Sequence, residues 1–349
     1  MFLHRRETHR VELGEGGDGL SVSDHPRQDV APGRVGERLE DAVRAVLNVL
    51  TYNHVVVRYS SPSVIARGYR AAMTFSIVGR SADGTALGVA VASKFLGVGA
   101  AVPAALADVG AVATQSYANL AYRPQGLALL GTGVAAPEVV KALIAGDAGP
   151  VGHRQVGVVG PTGPGATYTG ADCHDWAGGT AGDGYAIQGN MLAGPAVVGD
   201  MERGWLGSAD ESRLASRLVA ALRAGDRAGG DRRGRQSAAL LVVAKGLGYG
   251  GTSDVLVDLR VDDHPDPVTE LGRLLEMHAL YFEHPDPATL QPLTGALGDE
   301  VRERLATRGH ADADLDEALA SWAGVENLEM RIVAGAIDPL VLSHLRALS

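Results

Sequence analysis

Hydrophobic and polar positions alternate most clearly between Thr74 and Ser93. Two stretches, TFSIVGR and ALGVAVAS, have the period of two that is typical of β-strands. The residues SADGT lie between them, and their Asp83-Gly84 pair is a strong signal for a tight hairpin turn. The segment therefore predicts two antiparallel strands. With the turn centred on this pair, Thr74 is expected directly opposite Ser93.

Downstream, predicted strands alternate with pairs of predicted helices. VGAVATQS predicts a third strand, and RPQGLALLGTG and APEVVKALIAGD predict two helices. Strands follow in RQVGVVG, GATYTG and GYAIQGN, then helices at about 194–206 and 210–224, then strands in QSAALLVVA and SDVLVDLRV. This order indicates an α+β fold in which helices are layered on stacked antiparallel sheets.

Residues 1–72 precede this pattern and differ from it in composition. The segment 1–36 is polar and glycine-rich, lacks periodicity and is predicted to be disordered. A helical stripe follows in GERLEDAVRAVLNVL, and HVVVRYS predicts a short strand. We interpret this extension either as a regulatory appendage or as upstream sequence joined to the chain by a mistaken start codon.

The motif HPDP occurs twice, at 264–267 and 284–287. An Asp-Pro pair can begin a helix, with the aspartate at the N-cap and the proline at the first helical position. The first copy predicts a bridging helix within 264–283, and the second predicts the start of a small helical module over 284–349. The strand-rich domain is accordingly assigned to 73–263.

The chain is acidic, with a formal net charge of −10 over 349 residues and a pI near 5.5. Nucleic acids and anionic membrane surfaces attract clustered Lys and Arg, so neither is expected as a partner. The single cysteine, Cys173, excludes an intramolecular disulfide framework. No stretch has the ~18 apolar residues of a membrane span, and MFLHRRETHR lacks the apolar core of a signal peptide. We therefore expect a soluble, cytoplasmic protein.

The first residue of the predicted hairpin carries a hydroxyl group that can act as a nucleophile. Directly opposed residues have Cβ atoms roughly 5 Å apart, so Thr74 is expected beside Ser93, with Lys94 following where the strand ends. If Thr74 were the first residue of the mature chain, its α-amine, with a pKa of about 8, would serve as the general base. A nearby Lys94 would lower that pKa. A buried strand threonine without a catalytic part is the alternative, and it stays open.

These segments resemble the DUF1028 family, an uncharacterised family in the N-terminal nucleophile (Ntn) hydrolase superfamily. The resemblance rests on MTFSIVGR, LGVAVASKFLGVGAAVP, VGAVATQSYANLAYRPQGLALL, HDWAGGTAGDGYAIQGNMLAG and GDRRGRQSAALLVV, and it runs from Met73 to about residue 282. It implies a four-layer αββα sandwich and a proteasome-like nucleophile at Thr74. Members usually begin at the Met-Thr pair, so residues 1–72 are a departure from the family.

The residues after 283, including WAGVENLEMRI and AIDPLVLSHLRAL, resemble a small all-α module that often follows such a domain and is called peptidoglycan-binding-like. A peptidoglycan partner fits poorly with the absence of a signal peptide. We therefore treat the module as an interaction or dimerisation unit, with peptidoglycan as an open alternative. Ntn sandwiches often oligomerise, so the resemblance also implies a homo-oligomer.

Three further groups of residues are candidates for the site. Asn190, at the end of YAIQGN, is expected to stabilise an oxyanion together with neighbouring backbone N–H groups. In the loop GDRRGRQS, Arg235 and Gln236 are expected to bind a substrate carboxylate. Gln115 and Ser116, at the end of the third strand, are expected to line the same edge. A turn asparagine, a solvated charge run and an ordinary strand end are the respective alternatives.

Two other motifs suggest competing chemistry. Cys173, His174 and Asp175 are adjacent, but neighbours in an extended chain point to opposite faces, so no triad is expected. GLALLGTGVAAPEVV contains the G-x-G-x-x-A pattern of dinucleotide sites, but the acidic residue that such a fold places after the next strand is missing. We expect a helix–turn–helix connection there.

The sequence thus favours an Ntn-type amidohydrolase that cleaves an amide or acyl bond of a small, anionic substrate. Neither a metal nor an organic cofactor is expected. The competing class is a non-catalytic protein that uses the same scaffold to bind a ligand or the cell wall.

Overall fold

The computed structural model of the protein describes residues 74–348. The predictions made above for residues 1–72 lie outside the described residues. Strands and helices are numbered below along the described chain.

The part of the chain up to Phe282 contains β1 (Thr74–Arg80), β2 (Ala86–Ser93), α1 (Val98–Ala101), β3 (Pro103–Leu106), β4 (Gly110–Ser116), α2 (Tyr122–Gly131), α3 (Ala136–Ala145), β5 (Arg154–Val159), β6 (Ala166–Thr169), β7 (Gly178–Gly182), β8 (Tyr185–Asn190), α4 (Ala196–Leu206), α5 (Leu214–Arg227), β9 (Ser237–Ala244), β10 (Val255–Val261) and α6 (Pro267–Phe282). The remainder contains β11 (Gln291–Pro292), α7 (Gly295–Ala306), α8 (Leu315–Glu326), β12 (Ala336–Ile337) and α9 (Pro339–Ala347). Among these described helices, none is both long enough and apolar enough to cross a membrane.

Two antiparallel sheets form the centre of the fold. The larger sheet has six strands in the order β10–β9–β2–β1–β8–β7, and the smaller has four in the order β3–β4–β5–β6. The predicted hairpin is confirmed. In its turn the Asp83 carboxylate accepts hydrogen bonds from Ser81 and Thr85, and at its open end Thr74 pairs with Ser93. β1 therefore lies near the middle of the larger sheet.

The two sheets pack face to face, and helices cover their outer faces. Phe75 and Ile77 on β1 belong to the hydrophobic cluster formed with α4, α5 and α6. Val112 on β4 packs with α2 and α3. Small and branched side chains such as Val78 and Ala113 fill the space between the sheets. Because full burial of one Val or Ile side chain contributes roughly 1.5–3 kcal/mol, each interface is held by many such increments. The layers are helix, sheet, sheet and helix, as predicted.

Three local features differ from the sequence pattern or extend it. The pattern does not predict the short strands β3 and β7; β7 has the sequence GGTAG, which has no apolar alternation. The first HPDP motif does precede a helix, since α6 begins at Pro267. The second does not: the Asp286 carboxylate accepts a hydrogen bond from the Ala288 backbone and closes a turn. The next helix begins only at Gly295.

The C-terminal helices form a hydrophobic cluster of their own, with Trp322 at its centre. Arg331 joins this cluster to α6. Its guanidinium donates hydrogen bonds to the carbonyl oxygens of Ala279 at 2.7 Å and Leu280 at 3.0 Å, and it forms a buried ion pair with Asp338. The last carbonyl groups of a helix need partners from outside it, and a cation is favourable there. Arg331 therefore fixes the C-terminal end of α6.

We expect the Arg331→Ala variant to lose about 3 kcal/mol of unfolding free energy, because the buried Asp338 carboxylate is left without its cation. Urea denaturation followed by circular dichroism measures this loss. Arg302→Ala, at an exposed position of α7, is the matched control and should change the unfolding free energy by less than about 0.5 kcal/mol. Equal, small effects in both variants would contradict the role given to Arg331.

Candidate functional site

The candidate site lies at the end of the sandwich where β1 begins and where β2 and β8 end. Thr74 pairs with Ser93 on one side and with Asn190 on the other. All three side chains are buried. Thr74 shares a face of β1 with Val78, which lies between the sheets. Its hydroxyl donates a hydrogen bond to Oγ of Ser93 at 3.2 Å. The structure thus brings together three of the residues that the sequence indicated.

A network of amide side chains extends from this end into the space between the sheets. Nε2 of Gln115 donates to Oε1 of Gln155 at 2.7 Å and to the Thr74 carbonyl at 3.3 Å. Gln155 also accepts from Nδ2 of Asn190 at 2.8 Å and donates to the Gly189 carbonyl at 2.8 Å. The network therefore connects the smaller sheet to β1 and to β8.

Ser76 and Gln188 extend the network further from the open end. The Ser76 hydroxyl donates to Oε1 of Gln115 at 2.7 Å and accepts from Nε2 of Gln188 at 2.7 Å. Both residues are fully buried, as is Gln155. An unpaired buried polar group costs about 1–3 kcal/mol, so each amide depends on the others. Sequence reasoning missed Ser76, Gln155 and Gln188. The available signal was a polar residue at an inward position of a strand.

Gly157 on β5 gives Gln188 the room that it needs. A Cβ atom placed on Gly157 would overlap with the amide group of Gln188. Within residues 74–348, Oε1 of Gln188 has no hydrogen-bond donor. Its orientation therefore comes from its Nε2 contacts with Ser76 and from the close approach of the Gly157 backbone.

Two strands that end at this site do so with strained backbone. Ser116 follows Gln115 with a φ of 67°, and Met191 follows Asn190 with a φ of 50°. Non-glycine residues in the left-handed region cost of order 1–3 kcal/mol and concentrate at functional sites. The Ser116 hydroxyl contacts the thiol of Cys173 at 3.6 Å. The chain therefore turns sharply directly after each of the two amides.

A buried ion pair fixes the backbone around Ser116. Arg154, which pairs with Ser116 across the sheet, lies 2.9 Å from Oδ2 of Asp147. The same oxygen accepts hydrogen bonds from the Tyr122 hydroxyl at 2.7 Å and from Asn119 at 3.1 Å. Burial alone would raise the pKa of Asp147, but these hydrogen bonds outweigh it and lower the pKa to about 2. Burial, together with this carboxylate, raises the pKa of Tyr122.

Lys94, Arg235 and Gln236 lie at the rim of the site. Lys94 is exposed, and its Nζ donates to the Arg235 carbonyl at 3.1 Å. The Arg235 guanidinium binds both carboxylate oxygens of Asp226, at 2.7 Å and 3.0 Å. The backbone N–H of Gln236 donates to the Ser93 carbonyl at 3.2 Å. Lys94, Arg235 and Gln236 thus lie at the end of β2. The charge of Arg235 is paired with that of Asp226.

A pocket of about 130 Å³ lies beside this rim. Its lining includes Phe75, Ser93, Asp226, Asp231 and Arg235. Thr74 does not line the pocket, although Phe75, which follows it, and Ser93, which accepts its hydrogen bond, do. Two carboxylates, one guanidinium and an aromatic ring thus line this pocket.

The structure shows where the two competing motifs lie, the Cys-His-Asp run and the G-x-G-x-x-A pattern. Cys173 is buried, and burial raises its pKa, which opposes formation of a nucleophilic thiolate. The exposed His174 ring contacts the Tyr117 hydroxyl at 3.3 Å. The G-x-G-x-x-A pattern lies between α2 and α3, whereas a dinucleotide site would need a strand before it. The helix–turn–helix interpretation is confirmed.

In the described part of the chain, no three His, Cys, Asp or Glu side chains converge as metal ligands. The groups around Thr74 are hydroxyls and amides, with ion pairs at the rim. Such groups can orient a small carbonyl compound by hydrogen bonding and can donate to an oxygen that develops negative charge.

The fold and site define an antiparallel αββα sandwich with a small helical C-terminal domain. A family model described as "Family of unknown function (DUF1028)" matches residues 74–271, which is more than half of the chain. A second model, described as "Putative peptidoglycan binding domain", matches residues 281–345. The protein belongs to the DUF1028 family, as the sequence motifs indicated.

Among solved structures, the chain is similar to the crystal structure of protein SPO2555 from Silicibacter pomeroyi, which is also assigned to DUF1028. The two sequences are 27% identical, and the TM-score is 0.53. The match covers 65% of this chain and 93% of that chain. No curated protein matches the chain. The comparisons therefore establish family and fold, while the activity has to be inferred from the site.

We expect Asp147→Asn to lower the unfolding free energy by roughly 2–3 kcal/mol at about pH 7. The pKa of about 2 in the folded protein lies below the usual aspartate value of 3.8. The stabilisation is therefore complete above the unfolded pKa and is lost as the pH falls through the folded pKa. Urea denaturation at about pH 7 and about pH 3 measures the difference between native protein and variant. A difference that does not shrink at the lower pH would contradict the assignment.

We expect Gly157→Ala to lower the unfolding free energy by about 1–3 kcal/mol, because the added methyl group displaces the Gln188 amide. Gly194→Ala is the matched control, since a Cβ atom there meets no atom within 4 Å. Thermal unfolding of both variants compares the two positions. If Gly157→Ala is as stable as Gly194→Ala, the close fit of Gln188 is wrong.

Proposed function

We propose that the protein is an Ntn-type amidohydrolase that cleaves an amide or acyl bond of a small substrate, with Thr74 as the nucleophile. The observation that carries this proposal is the position of Thr74. It is the first residue of a central strand, its hydroxyl bonds to Ser93, and Asn190 lies across the other strand pair. A nucleophile, a second hydroxyl and an amide donor thus share one end of the sandwich.

The reaction follows from these groups once Thr74 is N-terminal. Its α-amine accepts the hydroxyl proton while Oγ1 forms a bond to the substrate carbonyl carbon. The amine then gives that proton to the leaving nitrogen, and the C–N bond breaks to leave an acyl-enzyme ester. Water attacks the ester, the amine accepts a proton from the water, and the released oxygen of Thr74 regains a proton.

Asn190 and nearby backbone N–H groups would stabilise the oxyanion. An amide nitrogen carries two hydrogens, so Nδ2 of Asn190 can bond to Gln155 and to an oxyanion at the same time. Removing one such donor typically costs about 10²–10³ in rate. The network that holds Gln155 therefore supports the orientation of Asn190.

The rim residues have supporting roles in this proposal. Ser93 would accept the hydrogen bond of the Thr74 hydroxyl. The Lys94 charge, held at the rim by the Arg235 carbonyl, would lower the pKa of the amine.

Arg235 and Gln236, with Gln115 and Ser116 on the smaller sheet, would line the substrate path. Because Asp226 neutralises Arg235, an anionic substrate group would be oriented by a paired guanidinium rather than drawn in by an isolated positive charge.

A second candidate is a non-catalytic binding protein. Thr74 is 1% exposed, and residues 1–73 precede it in this sequence. The α-amine exists only if the bond between Met73 and Thr74 is absent. If the protein is such a binding protein, the similarity of residues 281–345 to a peptidoglycan-binding model supports binding to purified sacculi.

We propose instead an interaction or dimerisation role for this module. Sedimentation with sacculi distinguishes peptidoglycan binding from that role.

We expect the chain that begins at Thr74 to be acylated by a β-lactone at the Thr74 hydroxyl, and Thr74→Ala to abolish the labelling. Intact-mass spectrometry and peptide mapping measure it. The matched control carries one additional alanine before Thr74, so that the hydroxyl is present but the Thr74 nitrogen is a peptide amide and cannot act as a base. This control should label at least about 10²-fold more slowly, since the general base is lost.

Two results would contradict the hydrolase proposal. The chain beginning at Thr74 would remain unlabelled, or the control with the additional alanine would be labelled equally fast. N-terminal sequencing of the protein from its natural host then shows whether Thr74 is the first residue of the mature chain.

A further inference from the structure

The segment Gly229–Gln236, called here the crossing loop, connects the ends of the two strands that flank β1. The Arg232 backbone N–H donates to the Met191 carbonyl at 3.2 Å, directly after β8. The backbone N–H of the last loop residue donates to the Ser93 carbonyl at 3.2 Å, at the end of β2. Because β1 lies between β8 and β2, the crossing loop passes in front of Thr74.

Asp231 in this loop contacts the backbone at the end of β2, beside the start of β1. Ser93 directs its carbonyl toward β9, so the N–H of the next residue, Lys94, points to the β1 side. Lys94 directly follows Ser93, the residue that pairs with Thr74. The Lys94 N–H donates to Oδ2 of Asp231 at 2.7 Å. The carboxylate therefore lies directly after the end of β2, on the side of that strand where β1 begins.

The crossing loop holds this carboxylate firmly. Asp231 is 5% exposed and forms a bridge with Leu192. The Arg233 backbone N–H donates to Oδ1 at 2.9 Å. The Arg233 guanidinium makes longer contacts of 3.3 Å and 3.1 Å, and its side chain is 31% exposed. The two backbone bonds therefore fix the Asp231 carboxylate. The carboxylate can contact a second cation in addition to the Arg233 guanidinium.

We propose that Asp231 is a positioning residue whose carboxylate binds the α-amine of Thr74 in the chain that begins at Thr74. This inference rests on the function proposed above. A carboxylate at this position restrains the amine beside its own hydroxyl and favours the protonated form. The amine would therefore lose its proton at a higher pH than it would without Asp231.

In the described part of the chain, charged groups near this carboxylate lie on the crossing loop, at the end of β2 and on α5. Arg233 faces the same carboxylate. Lys94 contacts the Arg235 carbonyl, and Arg235 is paired with Asp226.

β8 and the smaller sheet contribute the uncharged amides Asn190, Gln115 and Gln155. Asp231 is thus the carboxylate that acts most directly on the amine, and Arg233 is the cation that opposes it.

The pH dependence of β-lactone acylation tests this role in the chain that begins at Thr74. The rate should rise as the amine loses its proton. In Asp231→Asn the midpoint should move to lower pH by about 1 unit, and the plateau rate should fall about tenfold as the amine loses its orientation. Arg233→Gln should move the midpoint to higher pH. Asp183→Asn removes an exposed carboxylate at the other end of β1, where it pairs with Arg80, and should change neither value.

The outcomes separate this inference from the proposed function. If the unaltered chain is not acylated at any pH, both are overturned. If it is acylated at Thr74 but Asp231→Asn keeps the midpoint of Asp183→Asn, the positioning role alone is overturned. If Asp231→Asn does not fold, Arg233→Gln decides: a midpoint at higher pH supports the role, and an unchanged midpoint refutes it.

Discussion

Buried amide groups must find hydrogen-bond partners, and this requirement organises the end of the sandwich where Thr74 lies. Gln115 and Gln155 come from the smaller sheet, and Gln188 and Asn190 come from the larger one. Because these bonds join side chains from both sheets directly, a shift of one sheet against the other would break several of them at once. Apolar packing alone would tolerate small shifts between the sheets. The network does not, and so it fixes the distance between Thr74 and the donors on the opposite sheet.

Strain and charge are arranged around this network rather than within it. The left-handed residues Ser116 and Met191 turn the chain immediately beyond two of the amides. The Asp147–Arg154 pair stabilises one of these turns from outside, and the crossing loop closes the other side. Among the described residues, the network itself consists of uncharged amides and hydroxyls, and the ionised groups lie around it, with Asp231 next to the end of β2.

The sequence allowed much of the fold to be predicted because its strands alternate regularly and its turns have strong signals. Asp83 and Gly84 determined the register that places Thr74 opposite Ser93. Both of these paired residues are buried in the folded chain. Gln155 and Gln188 were not predicted, since the bonds that join them to β8 and β1 reach across more than thirty residues of sequence. A single polar residue within a strand also has many explanations. Asp231 was one acid in a charged loop, and only the path of that loop across β1 distinguishes it. Long-range pairing, unlike periodicity, leaves little trace in one sequence.

The helix α6 belongs to two hydrophobic cores at once. Leu271 and Leu275 pack into the sandwich, while Leu280 and Tyr281 pack against the C-terminal cluster. The two family models meet within this helix, one ending at residue 271 and the other beginning at residue 281. The boundary between the two sequence modules is therefore not a boundary between independent structures. Any recombination that exchanges the C-terminal module has to bring a compatible α6 with it, or replace part of the wall of the neighbouring core.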